Sequence, residues 1–142
     1  MIFSLNFKSG LPVYLQVVDQ VKAAAASGAL KPGEALPFIR PLAEELHVNR
    51  NTIAKAYTEL ESQGMIETIP GKGCFLASRT SPLRKDVRRR LLIRDIDQAV
   101  VQAHHLQVPP GEFLDLVRDR LDVLAERQRV NEQPRELQPN PP

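Results

Sequence analysis

The stretch from Leu36 to Gln63 constrains the fold more than any other part of the chain. It carries two helical periods separated by a tight break. Ile39, Leu42, Ala43 and Leu46 are apolar at steps of three, one and three, which places them on one helix face. Ala43 is small at the point where a second helix would have to cross closely. His47-Val48-Asn49 interrupts the pattern, with Val48 as an apolar plug. Asn49 is suited to cap the next helix, because its side-chain oxygen can accept a free N–H of the first turn. The second period then buries Ile53, Ala56, Tyr57 and Leu60. Its first turn presents Asn49, Arg50, Asn51 and Thr52, with Lys55 one turn later. A core needs none of these five, and all can hydrogen-bond to base edges or phosphates. A helix that enters the DNA major groove by its N-terminal end needs this arrangement. An ordinary helical hairpin with a polar cap is the alternative.

The flanks extend this unit. Ile2, Leu5 and Phe7 alternate with polar residues and predict a short extended arm, broken by Gly10 and Pro12. Positions 14, 17, 18, 21 and 25 share one face of a helix that stops at Gly28. Lys31-Pro32-Gly33-Glu34 is a turn. Beyond the helix ending at Gly64, Met65–Ile69 and Cys74–Leu76 predict a β-hairpin with the basic, glycine-rich tip Pro70-Gly71-Lys72-Gly73. After a recognition-type helix, such a hairpin looks like a wing. Lys72 could then reach phosphate, while Gly71 and Gly73 would let the backbone approach a duplex.

The C-terminal part reads differently. Residues 78–82 form a linker, and Ser81 is suited to cap a helix opened by Pro82. Residues 83–129 are expected to form two helices separated by Pro109-Pro110-Gly111. Leu92, Ile96 and Val100 recur at helical spacing in the first. Leu114, Val117, Leu121 and Leu124 make an apolar seam in the second. Neither stripe has enough remaining chain to cover it, so these seven residues are expected to form a dimer interface. A disordered tail is expected over 130–142, where the chain is polar and proline-rich.

The expected architecture is therefore mainly α with a small β-hairpin wing. A winged helix-turn-helix occupies 1–77 and a two-helix dimerisation hairpin 83–129. The net charge of +2 is no nucleic-acid signature by itself, although Arg84, Lys85, Arg88, Arg89, Arg90 and Arg94 cluster in one run. That run is either a solvated helix face or lies near a DNA backbone. Cys74 is the only cysteine, which excludes an intramolecular disulfide and suits a reducing cytoplasm. No signal peptide and no membrane-length apolar run are visible. No catalytic constellation is present. His104 and His105 are adjacent and point different ways on a helix, so no metal site or cofactor is expected.

The motifs Pro12-Val-Tyr-Leu-Gln, Ser27-Gly-Ala-Leu-Lys-Pro-Gly-Glu-Ala-Leu-Pro, Arg40-Pro-Leu-Ala, Val48-Asn-Arg-Asn-Thr-Ile-Ala-Lys-Ala-Tyr and Gly71-Lys-Gly-Cys-Phe occur in that order. Together they resemble the GntR family of bacterial transcription regulators over residues 10–77. The Asn49–Tyr57 stretch and the short C-terminal part are similar to its YtrA branch. The resemblance implies a cytoplasmic homodimer that binds an inverted repeat in double-stranded DNA, usually as a repressor. It implies DNA contacts at Arg40, at Asn49 to Thr52 and at Gly71. A small-molecule effector is left open. Two departures stand out. Phe38 occupies a position where the family usually has Ser, and Arg50 one where the YtrA branch often has Pro. An arginine there can pair bidentately with guanine. A winged-helix protein-interaction module without sequence-specific DNA binding is the competing reading.

Overall fold

The computed structural model describes residues 3–77 and 85–132. Ile2, the linker at 78–82, Leu83, Arg84 and the tail beyond 132 lie outside the described residues. Five helices and one hairpin follow in the order α1 (Val13–Ser27), α2 (Ile39–Leu46), α3 (Arg50–Ser62), β1 (Ile66–Ile69), β2 (Gly73–Leu76), α4 (Lys85–His105) and α5 (Pro110–Glu132).

Helices α1, α2 and α3 pack around one core. Val17, Val18, Val21, Leu42, Ala43, Ile53, Ala56 and Leu60 are each at most 2% exposed. The buried side of α3 is the face expected from its spacing. Val48 packs against the core at the α2–α3 break, as a plug should. At that break the His47 N–H bonds to the Glu44 carbonyl and the Val48 N–H to the Ala43 carbonyl, with His47 left-handed at φ 56. This is a Schellman ending with a histidine where glycine is usual. The same pattern ends α3, where Gly64 is left-handed and the Met65 N–H bonds to the Leu60 carbonyl.

The N-terminal segment is tied more firmly than a free arm. Phe3 enters the core. The Gln16 amide accepts from the Asn6 N–H at 2.8 Å and donates to the Asn6 and Leu11 carbonyls, each at 2.9 Å. Gln20 exchanges two similar bonds with Ser4. These two glutamines pair the segment to α1 as a strand partner would.

β1 and β2 are antiparallel, with Ile66 opposite Leu76 and Ile69 opposite Gly73. The other edge of β2 is bonded to the chain that precedes α2. The Leu36 N–H donates to the Cys74 carbonyl, the Gly33 N–H to the Leu76 carbonyl and the Leu76 N–H to the Glu34 carbonyl. Chain segments far apart in sequence thus anchor the base of the hairpin to the helical core.

α4 and α5 are joined by a short turn over residues 106–109, and neither helix has a buried residue. The expected end of the second helix at 129 moves outward, because α5 continues through Glu132. Its last turn is held there by α1. The Gln128 amide donates to the Ala26 carbonyl at 2.9 Å and the Asn131 amide to the Ser27 carbonyl at 2.7 Å. Residues 130–132 are therefore helix rather than the start of a tail.

Candidate nucleic-acid interface

The N-terminal end of α3 is built by its cap. The Asn49 side-chain oxygen accepts the Asn51 N–H at 2.8 Å, which satisfies one of the free donors of the first turn. Capping fixes the start of the helix and turns the next side chains outward. Asn49, Arg50, Asn51 and Lys55 are exposed, and Thr52 is half-buried. On the opposite face the buried Tyr57 hydroxyl donates to the Pro37 carbonyl at 2.6 Å, locking α3 to the approach of α2. Burial, helped by the nearby Cys74 thiol, pushes the Tyr57 phenol well above its ordinary range, so it stays a donor.

Arg40 on α2 and Arg50 on α3 line one open cleft of about 590 Å³ with Ala43, Glu44, His47 and Val48. Arg40 and Arg50 thus border the same cleft of the helix-turn-helix, although they are ten positions apart in sequence. The same cleft holds Glu44, which tempers the positive field, and His47, an exposed donor that spacing alone did not single out. Lys55 is placed differently. Its Nζ sits 4.1 Å from the centroid of the Tyr14 ring, a cation–π contact that holds it toward α1. Tyr14 read as one more apolar position, because the contact spans 41 residues and leaves no periodic trace.

The tip of the hairpin is a separate patch. The Lys72 N–H bonds to the Ile69 carbonyl at 3.0 Å, closing a turn with Pro70 and Gly71 in its centre. Gly71 has φ +76, as the third position of a type II turn requires. Nothing lies within 4 Å of where its Cβ would point. Gly71 and Lys72 are exposed, whereas Gly73 is half-buried against the ring of Phe38. The surface expected from sequence therefore splits into a helical part and a wing.

Among the described residues no cluster of His, Cys, Asp and Glu is arranged to hold a metal ion. No helix among them is long and apolar enough to cross a membrane.

This geometry has known relatives. The pattern described as "Bacterial regulatory proteins, gntR family" matches residues 13–76, which run from α1 to the end of the wing. The HTH-type transcriptional repressor YtrA of Bacillus subtilis is 34% identical over 118 residues, covering 83% of this chain and 91% of the relative. The chain belongs to the GntR family. The likeness to YtrA places it in that branch, and the solved structure of YtrA from Sulfolobus acidocaldarius, a GntR-family transcription factor, agrees. It superposes with a TM-score of 0.58 at 34% identity, covering 71% of this chain and 99% of that one. A Listeria monocytogenes EGD-e protein named as a transcriptional antiterminator superposes with a TM-score of 0.78 at 33% identity, covering 87% and 92%. The family consists of DNA-binding transcription regulators, not enzymes. The mainly helical winged fold and the absence of catalytic machinery in the sequence reading both fit that membership.

Proposed function

We propose that this chain is a cytoplasmic homodimeric repressor that reads an inverted-repeat operator, one winged helix per half-site. The α4–α5 hairpin carries the proposal. Leu92, Ile96, Val100, Leu114, Val117 and Leu121 are between 40% and 60% exposed, with Leu124 half-buried beside them. Apolar surface of this extent marks an interface. A second copy related by a two-fold axis would close it into a four-helix arrangement and hold two recognition helices at a fixed spacing. An apolar cavity of about 470 Å³ between the two helices is lined by Ile96, Val100, His104, Phe113 and Leu114. Three of these belong to the same seam, so we assign the cavity to the partner hairpin rather than to an effector.

Within each head, Arg50 is assigned to a base edge and Arg40 to the same groove or its phosphates. Asn49, Asn51 and Thr52 complete the major-groove face, and Lys55, held over Tyr14, is assigned to a phosphate at its edge. Gly71, Lys72 and Gly73 bring the wing to the backbone. Repression is supported by the Bacillus subtilis relative, a repressor by name, whose likeness extends beyond the head. Selection of duplexes from a random pool by the purified protein tests the proposal. An inverted repeat bound by a sedimenting dimer is the expected result. A single asymmetric site bound by a monomer would overturn it, and absence of salt-dependent DNA binding would favour the protein-interaction reading.

A further inference from the structure

Phe38 is a large apolar residue in an unusual place. It immediately precedes α2, with backbone angles of φ −64 and ψ 150, and its carbonyl accepts the Leu42 N–H at 3.1 Å. This is the capping position, yet no side-chain hydrogen bond caps the helix. A Ser, Thr, Asn or Asp here would satisfy a free N–H of the first turn. The ring forgoes that role, and it does not enter the core either, since Phe38 is 63% exposed.

The ring instead lies on the wing. A Cβ added to Gly73 would stand 2.9 Å from the Phe38 Cε1 and 3.5 Å from Cζ, so the ring occupies the space a side chain would need. Gly73 also has φ +115, a conformation that disfavours any other residue. Phe38 and Gly73 are thus a matched pair, one supplying the ring and the other the flat backbone on which it rests. Ile69, Pro70 and Gly71 line the same cleft. The base of the hairpin is already fixed by backbone bonds to residues 33–36. Phe38 acts toward the other end, beside Gly73, where the chain turns into the tip.

We propose that Phe38 is a positioning residue for the wing: its ring braces Gly73 and sets the angle at which Gly71 and Lys72 meet the DNA backbone. The residue before Phe38 is itself held, because the Tyr57 hydroxyl bonds to the Pro37 carbonyl at 2.6 Å. The wing angle is therefore referenced to α3, and recognition helix and wing keep one geometry. This inference rests on the assignment of the wing to the DNA backbone.

The test measures affinity for a mixed-sequence linear duplex as a function of salt. The full-length wild type is compared with Phe38→Ala, Phe38→Tyr, Lys72→Ala and the double variant Phe38→Ala with Lys72→Ala. Loss of one phosphate contact lowers the slope of log affinity against log salt by about 1 per head. Lys72→Ala is expected to show that loss. Phe38→Ala should show the same loss with its helical circular dichroism intact, and the double variant should be no weaker than Lys72→Ala. Phe38→Tyr keeps the ring and should match the wild type. Additive losses in the double variant would mean that the ring touches DNA itself, which overturns the proposal. So would an unchanged slope in Phe38→Ala, an unchanged slope in Lys72→Ala, or loss of helical signal in Phe38→Ala. If the wild type shows no salt-dependent binding, the DNA assignment itself fails, an outcome separable from all of these.

Discussion

The winged head and the C-terminal hairpin use similar helical patterns and end in opposite states. In the head, α1, α2 and α3 turn their apolar faces toward one another, and Phe3, Leu30, Leu36, Ile66 and Leu76 close the core. In the hairpin, α4 and α5 are longer helices, yet neither buries a residue. Both units even share a turn device. His47 ends α2 and Gln107 follows α4 in the same left-handed conformation, the only non-glycine residues among those described with positive φ. The Val108 N–H bonds back to the Ala103 carbonyl as the Val48 N–H bonds to Ala43. The local chemistry is alike, so the difference lies in what each apolar face finds. Three helices and a hairpin can enclose a core, whereas two helices joined by a turn cannot. The head encloses its own core, and in the proposed dimer the second copy covers what the hairpin leaves exposed.

The largest expected effect tests that dependence. Leu114 and Leu121 are 56% and 60% exposed, so Leu114→Asp with Leu121→Asp disturbs little within one chain. Two charges in the seam should yield a monomer by sedimentation. Affinity for the full inverted repeat should fall about 10²–10⁴-fold, the loss of avidity when two linked sites become one. Binding to an isolated half-site should be unchanged. A double variant that still sediments as a dimer would move the interface away from the hairpin.

The converse lesion lies in the head. Leu60 is fully buried, so Leu60→Ala should destabilise the head by about 2–5 kcal/mol, from lost transfer energy and the cavity left behind. Chemical denaturation followed at the two tyrosines, which both lie in the head, reads that loss. Sedimentation at low denaturant should still show a dimer. If dimerisation weakens by a similar free energy, the two units fold as one body and the contrast between them is wrong.

A third expectation concerns recognition rather than folding. Arg50→Ala should cost about 1–3 kcal/mol on the selected site and relax preference at one base pair per half-site. Arg40→Ala should weaken binding as well, since both residues line one cleft. Equal binding of Arg50→Ala and wild type to the selected operator would remove Arg50 from base reading.

Much of the head was legible because its signals are local. The face of α3, the Asn49 cap, the stop at Gly64 and the turn at Pro70-Gly71 each depend on residues a few positions apart. Features that depend on distant partners were not legible. Tyr14 beneath Lys55, the Gln16 and Gln20 clamps on the N-terminal segment, and Phe38 against Gly73 are ordinary residues until the fold brings them together. The two helices of the hairpin were readable for the same local reason as α3, since their period is helical. The end of α5 misled because Asn131 and Glu132 are polar and precede a proline-rich stretch. What keeps that turn helical is α1, more than a hundred residues earlier.

The smallest expected effect lies where the two units meet. Gln128 and Asn131 donate to the Ala26 and Ser27 carbonyls, which belong to the last turn of α1 and have no partner within that helix. These two amides therefore cap α1 from outside and tie the hairpin to the head of its own chain. Asn131 also lies close over Gly28, whose Cβ would stand 3.2 Å from the Asn131 Cβ, so the approach is tight. Neutral hydrogen bonds of this kind contribute about 0.5–1.5 kcal/mol each, and exposed ones fall at the lower end. Gln128→Ala with Asn131→Ala should leave the dimer and the fold of each unit intact. What should change is the fixed offset between the heads. Selection from a random pool by this variant should return the same half-site with a wider range of spacings between the two halves. The affinity for the wild-type spacing should drop only slightly. An unchanged, single spacing would show that the remaining packing of α5 against α1 fixes the heads without these amides.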